Sequence, residues 1–345
     1  MKVLKDFNVK DKRVLVRCDF NVPISDNGEI IDDFRIRQTL PTIQHLILAK
    51  AKVVLMSHLQ NPDGKVVPNL RLNNIAKKIS EYLKIKVAKA DDCIGDEVKN
   101  YSYTLGEDEI LLLENLRFHK EEKENNIEFA KKISELGDIY INDAFSVCHR
   151  EHTSIVGIPK YLPHGAGLLL EKEIEVLEKV LKNSEKPMVI IIGGTKVEAK
   201  AKFIDKILEV ADFVIVSGLI KKEIIEKNLI FKNPQKIIGP IDNLDALDID
   251  QKSINNFKGK ILSAKTIVWN GPFGRFEDEN YKKGTQEIAK AIIKSGAFCV
   301  AGGGETIEFL RKEGMIGEFS HISTGGGAML NYLEGDTLPG LKALQ

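Results

Sequence analysis

Short runs of β-branched apolar residues punctuate the whole chain, and longer amphipathic stretches fill the spaces between them. Few folds accept this alternation. The runs Val14 to Cys18, Val53 to Met56, Ile110 to Leu113 and Ile139 to Ile141 form one set. Met188 to Ile192, Phe213 to Val216, Thr266 to Trp269 and Phe298 to Ala301 form a second. Continuous apolar runs of this length suit strands buried on both faces of a parallel sheet. Between them, Leu72 to Leu83, Asn126 to Leu136 and Gln286 to Ile293 carry a helical period. In the second of these Ile127, Ala130, Ile133 and Leu136 recur every third residue, which predicts that they form the buried face. The pattern predicts an α/β protein of two doubly wound parallel-sheet, Rossmann-like domains.

Length agrees, because 345 residues exceed one ordinary core. Leu168 to Leu181 separates the strand sets and reads as a connector helix and hinge, so the expected domains are 1–167 and 168–327. Fifty basic residues balance fifty acidic ones, which gives no reason to expect a nucleic-acid or membrane partner. No apolar run is long enough to span a bilayer and the N-terminus is charged, so a cytoplasmic protein is expected; a monomer is the expectation for its assembly. Four cysteines without metal-ligand spacing, and no cluster of histidines, predict buried small residues and no separate metal site.

In open α/β sheets ligands bind beyond the carboxyl ends of the strands. After the first set of strands come Asp19 and Asn21, Ser57 and His58, Asn115 and Arg117, Asn142 and Asp143, and His149 and Arg150, with Arg35 past the first loop. Arginine forks match phosphate and carboxylate oxygens, so this rim predicts a site for a small, multiply charged anion. The second set ends in glycines instead: Gly193-Gly194, Gly271-Pro272, Gly302-Gly303-Gly304 and Gly325-Gly326-Gly327. Glycine turns followed by helices let backbone amides approach phosphates. Lys196 and Lys200 would share one face of a helix beginning near Lys196. Neither a P-loop nor a dinucleotide fingerprint is present.

The motifs resemble those of the phosphoglycerate kinase family. They are Val14 to Pro23, Asp32 to Arg37, Glu114 to Phe118, Asn142 to Phe145, His149-Arg150, Val156-Gly157, Gly193-Gly194, Val268 to Pro272, Gly302 to Gly304 and Ser323 to Ala328. The resemblance implies phosphoryl transfer between 1,3-bisphosphoglycerate and ADP, giving 3-phosphoglycerate and ATP, with closure about the connector before transfer. It assigns 3-phosphoglycerate to the N-terminal domain, through Asp19, Asn21, Arg35, His58, Arg117 and Arg150. It assigns Mg2+ with ATP or ADP to Gly194, Lys196, Lys200, Gly218, Asn270, Gly271, Pro272, Glu277, Gly302, Gly303, Gly304, Glu305 and Thr306, with Glu305 toward the metal. Arg35, Lys196, Gly303 and Gly326 take the catalytic roles, and the tail 328–345 is expected to pack on the first domain.

Four features depart from the family pattern. The usual His-Leu-Gly-Arg-Pro is His58-Leu59-Gln60-Asn61-Pro62, Glu305 replaces an aspartate, Ala199 replaces an acidic residue, and a glycine turn is reduced to Ser217-Gly218-Leu219-Ile220. The chain is also short around Ile238 to Ser253. These departures keep two alternatives open: a non-catalytic binding or regulatory relative, and a kinase with an altered nucleotide or acceptor.

Overall fold

The computed structural model describes residues 1–194 and 198–345. They group into two compact units, Met1–Ile174 with Thr337–Gln345, and Glu175–Asp336.

The first unit holds β1 (Arg13–Arg17), α1 (Phe34–Leu48), β2 (Lys52–Met56), α2 (Asn73–Leu83), β3 (Lys86–Lys89), α3 (Asp96–Thr104), β4 (Glu109–Leu112), α4 (Ile127–Ser134), β5 (Ile139–Asn142) and β6 (His164–Ala166). Its strands form one parallel sheet in the order β3-β4-β2-β1-β5-β6. Val14 registers with Val53 on one side and Ile139 on the other. Val14, Leu15 and Val16 are wholly buried, as strands covered on both faces require. The strand order reverses at β1, which opens a crevice at its carboxyl end.

A continuous helix, α5 (Leu168–Lys182), carries the chain from the first unit into the second. The second unit contains β7 (Met188–Ile192), α6 (Glu198–Ile207), β8 (Phe213–Val216), α7 (Gly218–Glu226), β9 (Ile237–Ile238), α8 (Gln251–Ile261) and β10 (Thr266–Asn270). After these come α9 (Lys283–Ser295), β11 (Phe298–Gly302), α10 (Gly304–Lys312), β12 (His321–Ile322) and α11 (Gly326–Leu333). The sheet order is β12-β11-β10-β7-β8-β9, all parallel, so the switch point lies between β7 and β10. A last short helix, α12 (Pro339–Lys342), belongs to the first unit.

The sequence boundary at 167/168 and the tail start at 328 differ from the division at 174/175 and 336/337. The physical reasons are that α5 runs unbroken through the division and that α11 packs on α6. In α4 the first residue also differs from the sequence reading. Phe129, Ala130, Ile133 and Ser134 are buried, whereas Ile127 at the helix start is 61% exposed. Ala130, Ile133 and Leu136 are buried as expected; only Ile127 is not, because Asn126 accepts the Phe129 N–H at 3.0 Å and caps the helix, leaving Ile127 in its exposed first turn with Phe129 on the buried side. All four cysteines are free and buried. No helix among the described residues is long and apolar enough to cross a membrane.

Candidate active site

In the first unit the residues that follow β1, β2, β4 and β5 meet around Asp19. Its carboxylate lies 3.0 Å from Arg35 Nη1 and accepts from the Ser146 hydroxyl and, at 3.0 Å, from the Asn21 N–H. Burial alone would raise its pKa, but Arg35, His58, Ser146 and Arg17 together hold it at about 2. Arg35 also donates to the Asn21 carbonyl at 2.8 Å. Asn21 Oδ1 accepts the Gln60 N–H at 2.8 Å, and the Gln60 carbonyl accepts from Arg117 Nη1 at 2.7 Å. The Gln60 backbone therefore bridges two of the expected site residues. It does so at φ +56°, a conformation that glycine adopts without penalty, and glycine is the residue the resemblance puts there. Asn61, standing where the resemblance puts arginine, accepts from Lys123 Nζ at 3.2 Å.

Beneath this rim lies a buried pair that sequence reasoning missed. Arg17, the last residue of β1, donates from Nε to Ser154 Oγ at 2.7 Å, and its Nη2 is 3.8 Å from Glu122. Glu122 accepts from the Ser154 N–H and hydroxyl at 2.9 and 2.6 Å. Both charged groups are wholly buried, so each needs the other. Arg17 Nη2 also donates to His58 Nδ1 at 3.2 Å. Since arginine can only donate, the His58 ring proton sits on Nε2. Burial, and then the neighbouring arginines against Asp19, push the His58 pKa well below its ordinary value. His152 is driven to about 3 by burial, Arg117, Arg17 and Arg150. His149 is lowered by burial and by Arg150.

Charge is unbalanced here. Arg17 and Arg35 have carboxylate partners, but Arg117 and Arg150 have none among the described residues. Arg117 Nε and the Nδ1 atoms of His149 and His152 are buried without a hydrogen-bond partner. A buried Arg117 N–H without a partner, next to two guanidiniums that have no carboxylate partner among the described residues, is what a bound anion would satisfy.

Three residues from the expected rim are engaged elsewhere. Asn115 caps the Leu116–Phe118 turn by accepting the Arg117 N–H at 3.1 Å, and it donates to the Leu59 and Leu70 carbonyls. Asn142 accepts the Ala144 N–H at 3.0 Å. Asp143 accepts from the Leu169 and Leu170 N–H groups, so it caps α5 and does not face the rim. No cation offsets its burial, and its pKa is pushed up to about 7.

In the second unit the glycine turns close on one another at the switch point. A Cβ on Gly193 would lie 2.0 Å from the Pro272 carbonyl, and one on Gly326 would lie 2.5 Å from Gly303 Cα. Only glycine permits either approach. Gly271 donates its N–H to Thr306 Oγ1 at 2.8 Å, and Asn270 Nδ2 donates to the Gly302 carbonyl at 3.1 Å, which ties the turns after β10 and β11 together. Thr306 and Asn270 are buried in this role. Lys200 Nζ donates to the Gly193 carbonyl at 2.5 Å. Lys196 lies outside the described residues.

Above the turns is a cavity of about 280 Å³. Gly194, Gly218, Pro272, Glu277 and Glu305 line it, all of them anticipated from sequence. Its opposite wall, Asn243 to Ile249, was not anticipated. Asp248 anchors that wall by accepting the Gly284 and Ile249 N–H groups, each at 2.8 Å. Glu305, in the first turn of α10, is exposed at the cavity rim with no ion-pair partner among the described residues.

The family model described as Phosphoglycerate kinase matches residues 4–230 and 226–336. The chain belongs to the phosphoglycerate kinase family. The expected enzyme class, a phosphotransferase, and the expected fold both hold. A phosphoglycerate kinase of Leptospira biflexa is 41% identical over an alignment of 390 residues that takes in 100% of this chain and 98% of that protein. One from Borrelia hermsii is 39% identical, covering 100% and 99% respectively. The crystal structure of the phosphoglycerate kinase of Pyrococcus horikoshii matches with a TM-score of 0.88 at 33% identity, over 100% of this chain and 98% of that one. That of Coxiella burnetii gives 0.81 at 32% identity, over 99% and 98%. An alignment of 390 positions exceeds the 345 residues available, so the relatives carry segments that this chain lacks. The two matched stretches meet at 226–230, just ahead of the expected shortening at 238–253.

Proposed function

We propose that this chain is an active phosphoglycerate kinase, transferring a phosphoryl group between 1,3-bisphosphoglycerate and ADP to give 3-phosphoglycerate and ATP. The phosphoglycerate binds in the first unit at Asp19, Asn21, Arg35, His58, Arg117 and Arg150, and the nucleotide in the cavity of the second. The observation that carries this reading is the pair Arg117 and Arg150, which have no carboxylate partners among the described residues and lie near neutral histidines. A phosphorylated carboxylic acid supplies the matching negative charge. Among the described residues the arrangement offers no general base, and the reaction needs none. The attacking carboxylate or phosphate oxygen is already ionised at neutral pH. Catalysis then rests on positioning and on fixed positive charge, the assigned roles of Arg35, Lys196 and the glycine turns at Gly303 and Gly326.

Glu305 fits a magnesium ion carried in with the nucleotide, being a carboxylate with no ion-pair partner among the described residues, at the rim of a cavity lined by glycine turns. Bound there, the ion would neutralise charge on the nucleotide phosphates. Lys200, held against the Gly193 carbonyl, adds positive charge from the protein itself.

The test is 3-phosphoglycerate-dependent ADP formation from magnesium-ATP, coupled to NADH oxidation through glyceraldehyde-3-phosphate dehydrogenase. Turnover in the wild-type chain and its loss in Lys196→Ala are expected. Absence of turnover, with both ligands still binding in calorimetry, would sink the proposal in favour of a non-catalytic relative.

A further inference from the structure

β3 and β4 are paired in parallel, with Lys89 in register with Leu112. The segments that leave their carboxyl ends must therefore run side by side. That juxtaposition brings Asp92 and Cys93, which follow β3, against His119, which follows β4. His119 Nε2 lies 2.6 Å from Asp92 Oδ1, and the same oxygen accepts the Cys93 N–H at 2.6 Å. The imidazole nitrogen, carboxylate oxygen and thiol sulfur all lie within 4.8 Å of one another. The Asp92 side chain is half exposed, that of His119 is partly exposed, and Cys93 lies buried behind them. The His119 ring also packs on Phe129 at 5.0 Å between centroids, which fixes its orientation. Among the described residues none of the three bonds to Asp19, Arg35, His58 or Arg117.

We infer that Asp92, Cys93 and His119 form a binding site for a thiophilic divalent cation of the zinc class. One thiolate, one imidazole and one carboxylate are donors that such an ion takes, whereas magnesium and calcium favour oxygen alone. Coordination bonds of about 2.0–2.3 Å in a tetrahedral shell set donors roughly 3.3–3.6 Å apart. The present spacing reaches that by opening the Asp92–His119 hydrogen bond and drawing the sulfur inward. On binding, the Cys93 thiol releases its proton to solvent, and His119 gives up the Nε2 proton it shares with Asp92, so that the ring binds through Nε2 as the neutral tautomer with its proton on Nδ1. Water fills the fourth position, on the side where Asp92 and His119 reach solvent. The sequence expectation of no separate metal site did not weigh this trio, because His119 lies far along the chain from the adjacent Asp92 and Cys93.

The experiment is a titration of the chelator-treated full chain with Co2+, followed by absorbance and by competition with Zn2+. One equivalent is expected to produce a thiolate-to-cobalt charge-transfer band and tetrahedral visible bands, all abolished by Zn2+. Cys93→Ser should lose the charge-transfer band, and His119→Asn should weaken binding by about tenfold or more. Cys299→Ser should leave both unchanged. If burial makes Cys93→Ser unstable, the His119→Asn comparison still decides, because that side chain is partly exposed. A spectrum without charge transfer at saturating Co2+, or affinity unmoved by His119→Asn, would overturn the site and leave Asp92–His119 as a loop clamp only.

Discussion

Replacing Arg117 by methionine separates a ligand-binding arginine from a fold-holding one. Arg117 donates to the Gln60 carbonyl, and among the described residues it leaves a buried Nε unpartnered and has no carboxylate within ion-pair distance. Burial and then Arg17 lower its pKa, so the folded protein holds this charge at a cost. Methionine keeps most of the apolar stem and removes one neutral-acceptor hydrogen bond worth about 0.5–1.5 kcal/mol. Relief of the repulsion offsets part of that loss. The net change in stability should stay within about 1 kcal/mol, a melting shift of about 1–2 °C for 345 residues. A charge-assisted bond to substrate is worth about 1.5–3 kcal/mol, which corresponds to a roughly 10- to 150-fold rise in KM for 3-phosphoglycerate. Arg17→Met is the contrasting case, because it strands the wholly buried Glu122 and should cost about 3–5 kcal/mol of stability. The coupled assay at saturating magnesium-ATP, run beside thermal denaturation, reads both quantities. An unchanged KM in Arg117→Met, or a melting loss as large as that of Arg17→Met, would refute the reasoning.

Three other outcomes are expected. The folded pKa of Asp143, about 7, lies above the ordinary 3.8, so its contribution is fully present below pH 3.8 and is lost as pH rises toward 7. Asp143→Asn, which keeps an oxygen for the α5 amides, should therefore remove about 2–3 kcal/mol of the stability difference between pH 5 and pH 8, measured by chemical denaturation at each pH. Gly193→Ala places a methyl 2.0 Å from the Pro272 carbonyl and should cost about 1–3 kcal/mol or more while raising KM for ATP. Unchanged melting would show that the turns are free to separate. Glu305→Gln should raise the magnesium concentration needed for half-maximal turnover while leaving KM for 3-phosphoglycerate in place; an unshifted magnesium dependence would remove Glu305 from the metal.

The central strands were legible because burial on both faces leaves unbroken β-branched runs, as in Met188 to Ile192. The edge strands were not. β3 is Lys-Val-Ala-Lys with no buried residue, and β9 and β12 are two residues each, so neither length nor apolarity marks them. Asp19, Arg35, His58 and Arg117 could be read because polar residues just past buried strands have few other reasons to cluster. The same argument failed for Asp143, since an acid after a strand serves equally well as a cap for a later helix. Arg17 and Glu122 gave no signal: one sits inside a strand, and the other is one of three acids between Glu121 and Glu124. What sets Glu122 apart is Ser154, and only the tertiary structure makes them neighbours.

The return of Thr337–Gln345 to the first unit has a consequence for the order of events during synthesis. Leu338, Leu341 and Leu344 are buried, and Gly340 donates its N–H to the Cys148 carbonyl at 2.8 Å. The second unit is one uninterrupted stretch and can be complete while the chain is still held by the ribosome. The first unit begins to form earliest, yet its last apolar contacts must wait until Thr337–Gln345 have been made, after the whole of the second unit. Domains otherwise tend to finish in the order in which they emerge. In this protein the nascent first unit stays unfinished throughout translation of the second, with the surface around Cys148 and Ile155 uncovered until Thr337–Gln345 arrive.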